Sequence, residues 1–188
     1  MFEKIVKHYP NFPKEGIDFI DVLPFLHDKQ VFGEAIRALD AMCTAPTVAT
    51  VEARGFLFAA PLLAVSDHVQ TVVPIRKKGK LPYAEGDLVK VLIEKEYGSD
   101  ELYYRRSDFT KAQADGEYID VTLMDDLLAT GGTAIGIAES LQGQTIEGRR
   151  IRIKEFVFLV ELPELKGRAL LESIAPVRAL MTVNEWSE

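Results

Sequence analysis

The sequence predicts an α/β fold built on a mainly parallel central sheet flanked by helices. Three observations carry that expectation. Apolar runs of strand length recur along the chain and alternate with segments whose apolar residues repeat at helical spacing. The balance of 47% hydrophobic and 27% charged residues is that of a packed core under a polar surface. No internal repeat, low-complexity stretch or interdomain linker divides the 188 residues, so one domain spanning residues 1–188 is expected, long enough to bury a substantial core.

The elements follow in order. Met1–Lys7 reads as a short helix, and Asn11–Phe25 as irregular chain punctuated by Pro13, Gly16 and Pro24. Between Asp28 and Cys43, the residues Val31, Phe32, Ala35, Ile36 and Leu39 mark the apolar face of an amphipathic helix, with Asp28 as its N-cap. Thr47–Val51 reads as a strand closed by a tight turn at Glu52–Gly55, and Phe56–Val65 as a buried helix. Thr71–Ile75 is a second strand that ends in a basic loop. Val89–Lys95 and Glu101–Arg105 flank Tyr97-Gly98-Ser99 as an antiparallel ribbon. Tyr118–Met124 reads as a core strand in which polar Asp120 and Thr122 are out of pattern, and Thr133–Leu141 as the helix after it. Arg152–Val160 is a strand, Glu164–Ile174 a helix and Val177–Val183 the last strand. In open α/β sheets ligands bind beyond the carboxyl ends of the strands. The turn at Arg54, the basic loop at Arg76 and the turn at Asp125 all fall at such ends.

Charge and composition narrow the function. A net charge of −7 argues against a nucleic-acid partner, which needs a broad basic surface. No apolar run approaches the roughly 18–20 residues that span a bilayer, and no membrane partner is expected. Met1–Pro10 carries Glu3, Lys4, Lys7 and His8 and lacks the apolar core of a secretory signal. The single cysteine, Cys43, excludes an intramolecular disulfide and a cysteine-only metal site, and its helical apolar context reads as a small buried hydrophobe. A cytoplasmic protein fits all of this. Against the acidic background, Arg76, Lys77, Lys78 and Lys80 crowd one loop. Such a loop is either a solvated turn or the seat of a small anionic ligand.

The stretch from Val121 to Thr133 is the most informative. It reads as a strand, an acidic pair (Asp125, Asp126), a small-residue loop (Ala129, Thr130, Gly131, Gly132) and a helix start at Thr133. The glycines let the backbone approach a ligand closely and adopt positive φ. Amides of such a loop at a helix N-terminus bind anions, and two threonine hydroxyls add donors. The carboxylates accept hydrogen bonds from vicinal hydroxyls and can meet Mg²⁺. A phosphate cradle just after an acidic pair matches a 5-phosphoribosyl group. The segment is neither a Walker loop nor a dinucleotide fingerprint, because G-x-x-x-x-G-K-S/T and G-x-G-x-x-G are both absent.

Asp125–Thr133, DDLLATGGT, resembles the phosphoribosyl pyrophosphate (PRPP) motif of the type I phosphoribosyltransferases, in the form typical of the adenine-specific members. Phe12-Pro-Lys-Glu-Gly16, Glu52-Ala-Arg-Gly-Phe56, Arg76-Lys-Lys-Gly-Lys80-Leu-Pro82, Glu96-Tyr97-Gly98, Phe158-Leu-Val-Glu161 and Leu165-Lys-Gly167 resemble further family segments in the family's order. The likeness runs from about Phe12 to Leu171.

The resemblance implies a type I phosphoribosyltransferase fold with a small N-terminal hood and a flexible lid over roughly Leu81–Tyr97. It implies conversion of adenine and PRPP to AMP and pyrophosphate, with Mg²⁺ as cofactor held mainly by PRPP near Asp125 and Asp126, in a homodimer whose basic loop reaches the partner's site. Amides of Ala129–Thr133 would hold the 5′-phosphate, and Asp125 and Asp126 the ribose hydroxyls. Ala53, Arg54 and Gly55, with Arg76, Lys77 and Lys80, would meet pyrophosphate. Phe19 and Leu127 would sandwich adenine, and backbone groups of Asp18, Phe19 and Ile20 would read its edge. Glu96 would move the proton of the base, and Tyr97 would cover the ribose. The weaker alternatives are that Arg54 is a surface arginine, Phe19 a core residue and Glu96 a surface strand residue.

Ala129 stands where 6-oxopurine enzymes place an aspartate, which argues for adenine. Ile20 departs from the arginine common at that position, and the lid is a couple of residues longer than usual, which leaves the register of Ala84–Lys95 open. A transferase for another base and a non-catalytic PRPP sensor are the alternatives. The sensor class usually carries a DNA-binding segment or an eroded lid, and neither is expected here, where 188 residues leave little room for a further domain and Glu96, Arg54 and the basic loop are all present.

Overall fold

The computed structural model describes residues 2–94 and 99–184. The strands are β1 (Lys7–Pro10), β2 (Asp18–Asp21), β3 (Thr47–Val51), β4 (Thr71–Lys77), β5 (Leu88–Glu94), β6 (Ser99–Arg105), β7 (Ala114–Asp115), β8 (Tyr118–Leu128), β9 (Thr145–Ile146), β10 (Arg149–Glu161) and β11 (Val177–Thr182). The helices are α1 (Lys29–Asp40), α2 (Arg54–Ala59), α3 (Leu62–Val65), α4 (Gly132–Gln142) and α5 (Gly167–Leu171). Among the described residues the main sheet runs β11-β10-β8-β3-β4-β6-β5, with β7 beside β8 and β9 beside β10. β11, β10, β8, β3 and β4 are mutually parallel, so their carboxyl ends share one edge. The β4–β6–β5 side is antiparallel.

Strands of a parallel sheet covered on both faces are apolar on both sides. Here Val48 and Ala49 face opposite layers, as do Val157 and Phe158. One layer packs α4 through Ile137, Ala138 and Leu141. The other packs α1 through Ala35, Ile36 and Leu39, and α2 through Phe58. Asp28 caps α1 as expected, accepting from the amides of Gln30 (2.8 Å) and Val31 (3.1 Å). Cys43 is buried, and desolvation first, then the charges of Glu155 and Asp40, push its thiol up to about 12.

The polar residues of β8 have a structural account. Asp120 receives a two-point hydrogen bond from Arg152 on the neighbouring strand, at 2.6 and 2.9 Å. Thr122 donates to the buried carboxylate of Glu155, which also accepts from the amide of Thr44 (2.9 Å) and from its hydroxyl. A register shift in β10 between Ile153 and Glu155 accompanies this contact. Glu155 thus staples the loop after α1 to the middle of the sheet.

Four expectations need correction. The Met1–Lys7 helix is a single turn of 3-10 helix at Phe2–Lys4. Lys7–Pro10 is instead strand β1, because pairing with β2 satisfies its backbone better than an isolated short helix can. Asn11–Phe25 is not irregular throughout. It contains β2, and Pro13 and Gly16 (φ 85°) lie in the loop that closes the hairpin. Pro61 has no amide hydrogen to give, and the Phe56–Val65 helix is split there into α2 and α3. Glu164–Ile174 is broken at Lys166, whose φ of 57° separates a 3-10 turn from α5. Strands also run longer than expected: β4 reaches Lys77, so Arg76 and Lys77 lie on it rather than in the loop after it, and β10 spans Arg149–Glu161. β8 continues past Met124 to Leu128 and carries the acidic pair within it.

Candidate active site

Parallel strand ends gather the site. The turn after β3 presents Ala53, Arg54 and Gly55, with the Glu52–Ala53 peptide in cis. The last residues of β8 present Asp125 and Asp126, and the loop after it Ala129, Thr130 and Gly131, with Gly132 and Thr133 opening α4. Gly131 has φ of 81°, as a glycine-specific turn requires. Among the described residues, the amides of Thr130, Gly131, Gly132 and Thr133 donate to no acceptor. Free amides at the start of an eleven-residue helix form an anion cradle.

Arg54 is the centre of the arrangement. Its Nε lies 2.9 Å from Asp126 Oδ2, its Nη1 donates to the Ile20 carbonyl at 3.0 Å, and its guanidinium stands 5.0 Å above the Phe19 ring. One side chain therefore joins the acidic pair to the hood hairpin. Gly55 is required beside it, since a Cβ there would come within 2.7 Å of both Asp125 Oδ1 and Thr50 Oγ1. Burial, and then the charge of Asp126, raise the Asp125 carboxyl well above the usual carboxylate range. Asp126 is also raised by burial, with the Arg54 charge opposing. Two acids this close and this dry cannot both ionise freely.

The hood places its residues in alternation. Phe19 is half-exposed, meets Phe12 edge-on at 5.2 Å and borders a cavity of about 250 Å³ shared with Tyr9, Asp21 and Leu23. Asp18 and Ile20 point inward. The Asp18 carboxylate is 2.6 Å from His8 Nδ1, and the Ile20 side chain belongs to the core. Ile20 thus offers this site its backbone alone. Leu127 is half-buried at the end of β8.

The basic loop is tied down at both ends. Arg76 Nε contacts Glu52 at 2.7 Å, which draws the loop to the Arg54 turn, and Arg76 Nη1 donates to the Lys80 carbonyl at 2.8 Å. Burial works to raise the Glu52 carboxyl, but hydrogen bonds from Arg76 and Lys77 outweigh it and hold the carboxyl below its ordinary value. Lys78 lies 3.2 Å from Glu101 on β6, and Lys90 on β5 meets the same carboxylate. Lys77 lines a cavity of about 260 Å³ with Gly79, Tyr83 and Tyr103. Much of the expected lid is strand β5 rather than loop. Glu96 and Tyr97 lie outside the described residues.

Three contributors were missing from the sequence reading. Glu52 stood inside a quoted motif without a role. Glu101 carried no motif signal. Gly167 lay in the Leu165-Lys-Gly167 segment, whose proximity to the Ala129–Gly131 loop only tertiary packing reveals. Among the described residues no helix is long and apolar enough to cross a membrane.

No family model matches the chain. It is similar to the adenine phosphoribosyltransferase of Candida albicans, with 39% identity over 178 residues covering 93% of this chain and 85% of the relative. It is likewise similar to that of Clostridium tetani, 40% identical over 163 residues and covering 85% and 86% of the two chains. Among solved structures, the adenine phosphoribosyltransferase of Thermoanaerobacter pseudethanolicus superposes with a TM-score of 0.80 at 32% identity, covering 97% and 98%. The Saccharomyces cerevisiae enzyme, solved with an imino-altritol bisphosphate and adenine, superposes with a TM-score of 0.75 at 35% identity, covering 94% of each chain.

Proposed function

The chain belongs to the adenine phosphoribosyltransferases, enzymes that join adenine to PRPP to give AMP and pyrophosphate, and on that premise we propose how its own residues do so. The observation that carries the reading is Arg54, whose contacts link the acidic pair to the hood. A reaction that joins a base to a phosphoribosyl group needs those two regions in one place.

In this reading the amides of Ala129–Thr133 hold the 5′-phosphate, and Asp125 and Asp126 accept the ribose hydroxyls. Pyrophosphate leaves toward Ala53, Arg54, Gly55, Arg76, Lys77 and Lys80, where cations and backbone amides offset its growing charge. Arg54 then exchanges Asp126 for the leaving group while Asp126 gains hydroxyl donors. Adenine lies between Phe19 and Leu127 and is read by backbone groups of Asp18–Ile20. The C1′–oxygen bond to pyrophosphate breaks, C1′ bonds to the purine nitrogen, and the proton on that nitrogen passes to Glu96 while Tyr97 covers the ribose. The cation-like ribose would react with water, so the lid must close during the step.

Mg²⁺ fits this site as a partner of the substrate. Asp125 and Asp126 offer two carboxylates, and Mg²⁺ is characteristically held by one or two carboxylates together with substrate phosphates. Bound there, it would neutralise charge on the pyrophosphate. The reading also includes a cytoplasmic homodimer whose basic loop serves the partner's site.

The test is AMP formation from PRPP with Mg²⁺ and a panel of purines. Adenine should be strongly preferred, because a site that hydrogen-bonds one base edge leaves buried polar groups unpaired with another. Equal kcat/KM for hypoxanthine and adenine would overturn the assignment of the base.

A further inference from the structure

We infer that Gly167 is a positioning residue for the 5′-phosphate cradle: the turn Leu165–Gly167 forms its back wall and keeps the Ala129 carbonyl turned out of it. This deepens the proposed function and rests on it. A Cβ built on Gly167 would overlap the Ala129 carbonyl oxygen and come within 2.9 Å of both the Gly131 amide nitrogen and Leu128 Cδ1. The contact is reciprocal, since a Cβ on Gly131 would lie 3.1 Å from the Gly167 carbonyl oxygen. Two backbones therefore meet with no room for a side chain on either.

The wall is anchored on both sides. Leu162 donates its amide to the Leu128 carbonyl at 2.9 Å, extending the grip of β10 on β8 past the strand ends. Arg168, next to Gly167, contacts both oxygens of the buried Glu161 and donates to the Val177 carbonyl, so the turn cannot back away. Lys166 enters it in the left-handed conformation, which brings the Gly167 backbone round to the loop.

A phosphate cradle works only if N–H groups face inward and C=O groups face outward. The Ala129 carbonyl faces Gly167, which leaves the amides from Thr130 onward free for an anion. A side chain at 167 would force that peptide to move and bring carbonyl charge toward the phosphate. The loss should be confined to ligands that carry the 5′-phosphate.

The experiment is Gly167→Ala, with calorimetry for PRPP, ribose 5-phosphate and pyrophosphate, and steady-state kinetics for PRPP and adenine. Circular dichroism and thermal melts check the fold. The expected result is a rise of about tenfold or more in Kd for PRPP and ribose 5-phosphate, the equivalent of one charged hydrogen bond. KM for adenine and pyrophosphate affinity should hold. If Gly167→Ala does not fold, Arg168→Gln loosens the same wall without adding a Cβ, and the same selective loss is expected at smaller size. A folded variant that binds PRPP as the wild type does, or loses adenine and PRPP affinity alike, overturns the inference. A wild-type chain that binds no PRPP overturns the functional reading itself.

Discussion

The molecule keeps its acidic and its basic functional residues in opposite surroundings. Asp125 and Asp126 sit on the central strand β8, packed against Gly55 and answered by one cation, Arg54. Arg76 and Lys77 end strand β4 and Lys78 and Lys80 lie in the exposed turn beyond it, where Glu52 reaches back to them from the turn after β3 and Glu101 from β6. Buried like charges repel and lack water, so the acidic site is bought with stability. Exposed opposite charges are screened and cheap, so the basic arm can change partners at little cost. A transferase that must hold a ribose in fixed register and release a pyrophosphate gains from having one of each.

The largest expected effect decides which region moves the proton. Glu96→Gln should lower kcat by at least about 10²-fold with PRPP affinity nearly unchanged, as loss of a positioned acid–base group does. Glu94→Gln should do much less. If instead Glu96→Gln is near wild type and Asp125→Asn abolishes turnover with PRPP still bound, the base belongs to the buried pair and the division of labour breaks down. A crippled Glu94→Gln beside an active Glu96→Gln would put the lid out of register.

Next in size is the trade between stability and binding at the acidic pair. Asp125→Asn with Asp126→Asn should weaken PRPP binding about tenfold or more by calorimetry, since charged acceptors for the ribose hydroxyls are lost. Asp125→Asn alone should raise Tm at pH 7. Its folded-state carboxyl titrates above the unfolded value, so the native state favours the neutral form and loses that stability as pH rises past the ordinary Asp range. An amide is neutral at every pH. The gain in Tm should therefore shrink toward zero as pH falls below the ordinary Asp value of 3.8. A Tm that drops at pH 7 would mean that the pair stabilises the fold, contrary to the contrast drawn here.

A dimer would join the two regions across subunits. Mixing an Asp125→Asn, Asp126→Asn chain with an Arg76→Ala, Lys77→Ala chain should restore part of the activity, because one mixed site then has both intact halves. Light scattering that finds an active monomer removes this.

The two regions also differ in how far the sequence foretold them. The placing of the acidic pair at a strand end, with a glycine loop and a helix start after it, was legible because a strand, two carboxylates and two glycines in a row carry their signal locally. The sheet's parallel core was legible for the same reason, in runs such as Thr47–Val51, whose bounds agree with β3. What stayed hidden depends on contacts distant in sequence. The partners of Asp120 and Thr122 lie on β10, more than one element away. The hood hairpin forms from Lys7–Pro10, whose composition does not resemble a strand, because β2 pairs with it. Gly167 has meaning only against Ala129 and Gly131.

The smallest expected effect tests the basic arm as a screened, movable surface. Glu101 is half-buried on β6, and hydrogen bonds from Lys90 first, then Lys78 and Tyr103, lower its carboxyl to about 2. A carboxyl lowered in the folded state adds stability above its unfolded value, ordinarily 4.5, and that stability drains away as pH falls from there through about 2. Because its partners Lys78 and Lys90 are exposed, water and salt screen most of the gain. Glu101→Gln should thus lower Tm slightly at pH 7 in low salt, less as pH falls toward 2, and hardly at all in about 1 M salt, where the Debye length falls to roughly 3 Å. Release of Lys78 should shift KM for PRPP only modestly and leave kcat intact. A Tm loss that survives high salt would show that Glu101 braces the ribbon by packing rather than by charge, and the contrast between a fixed acidic site and a movable basic arm would then fail at this residue.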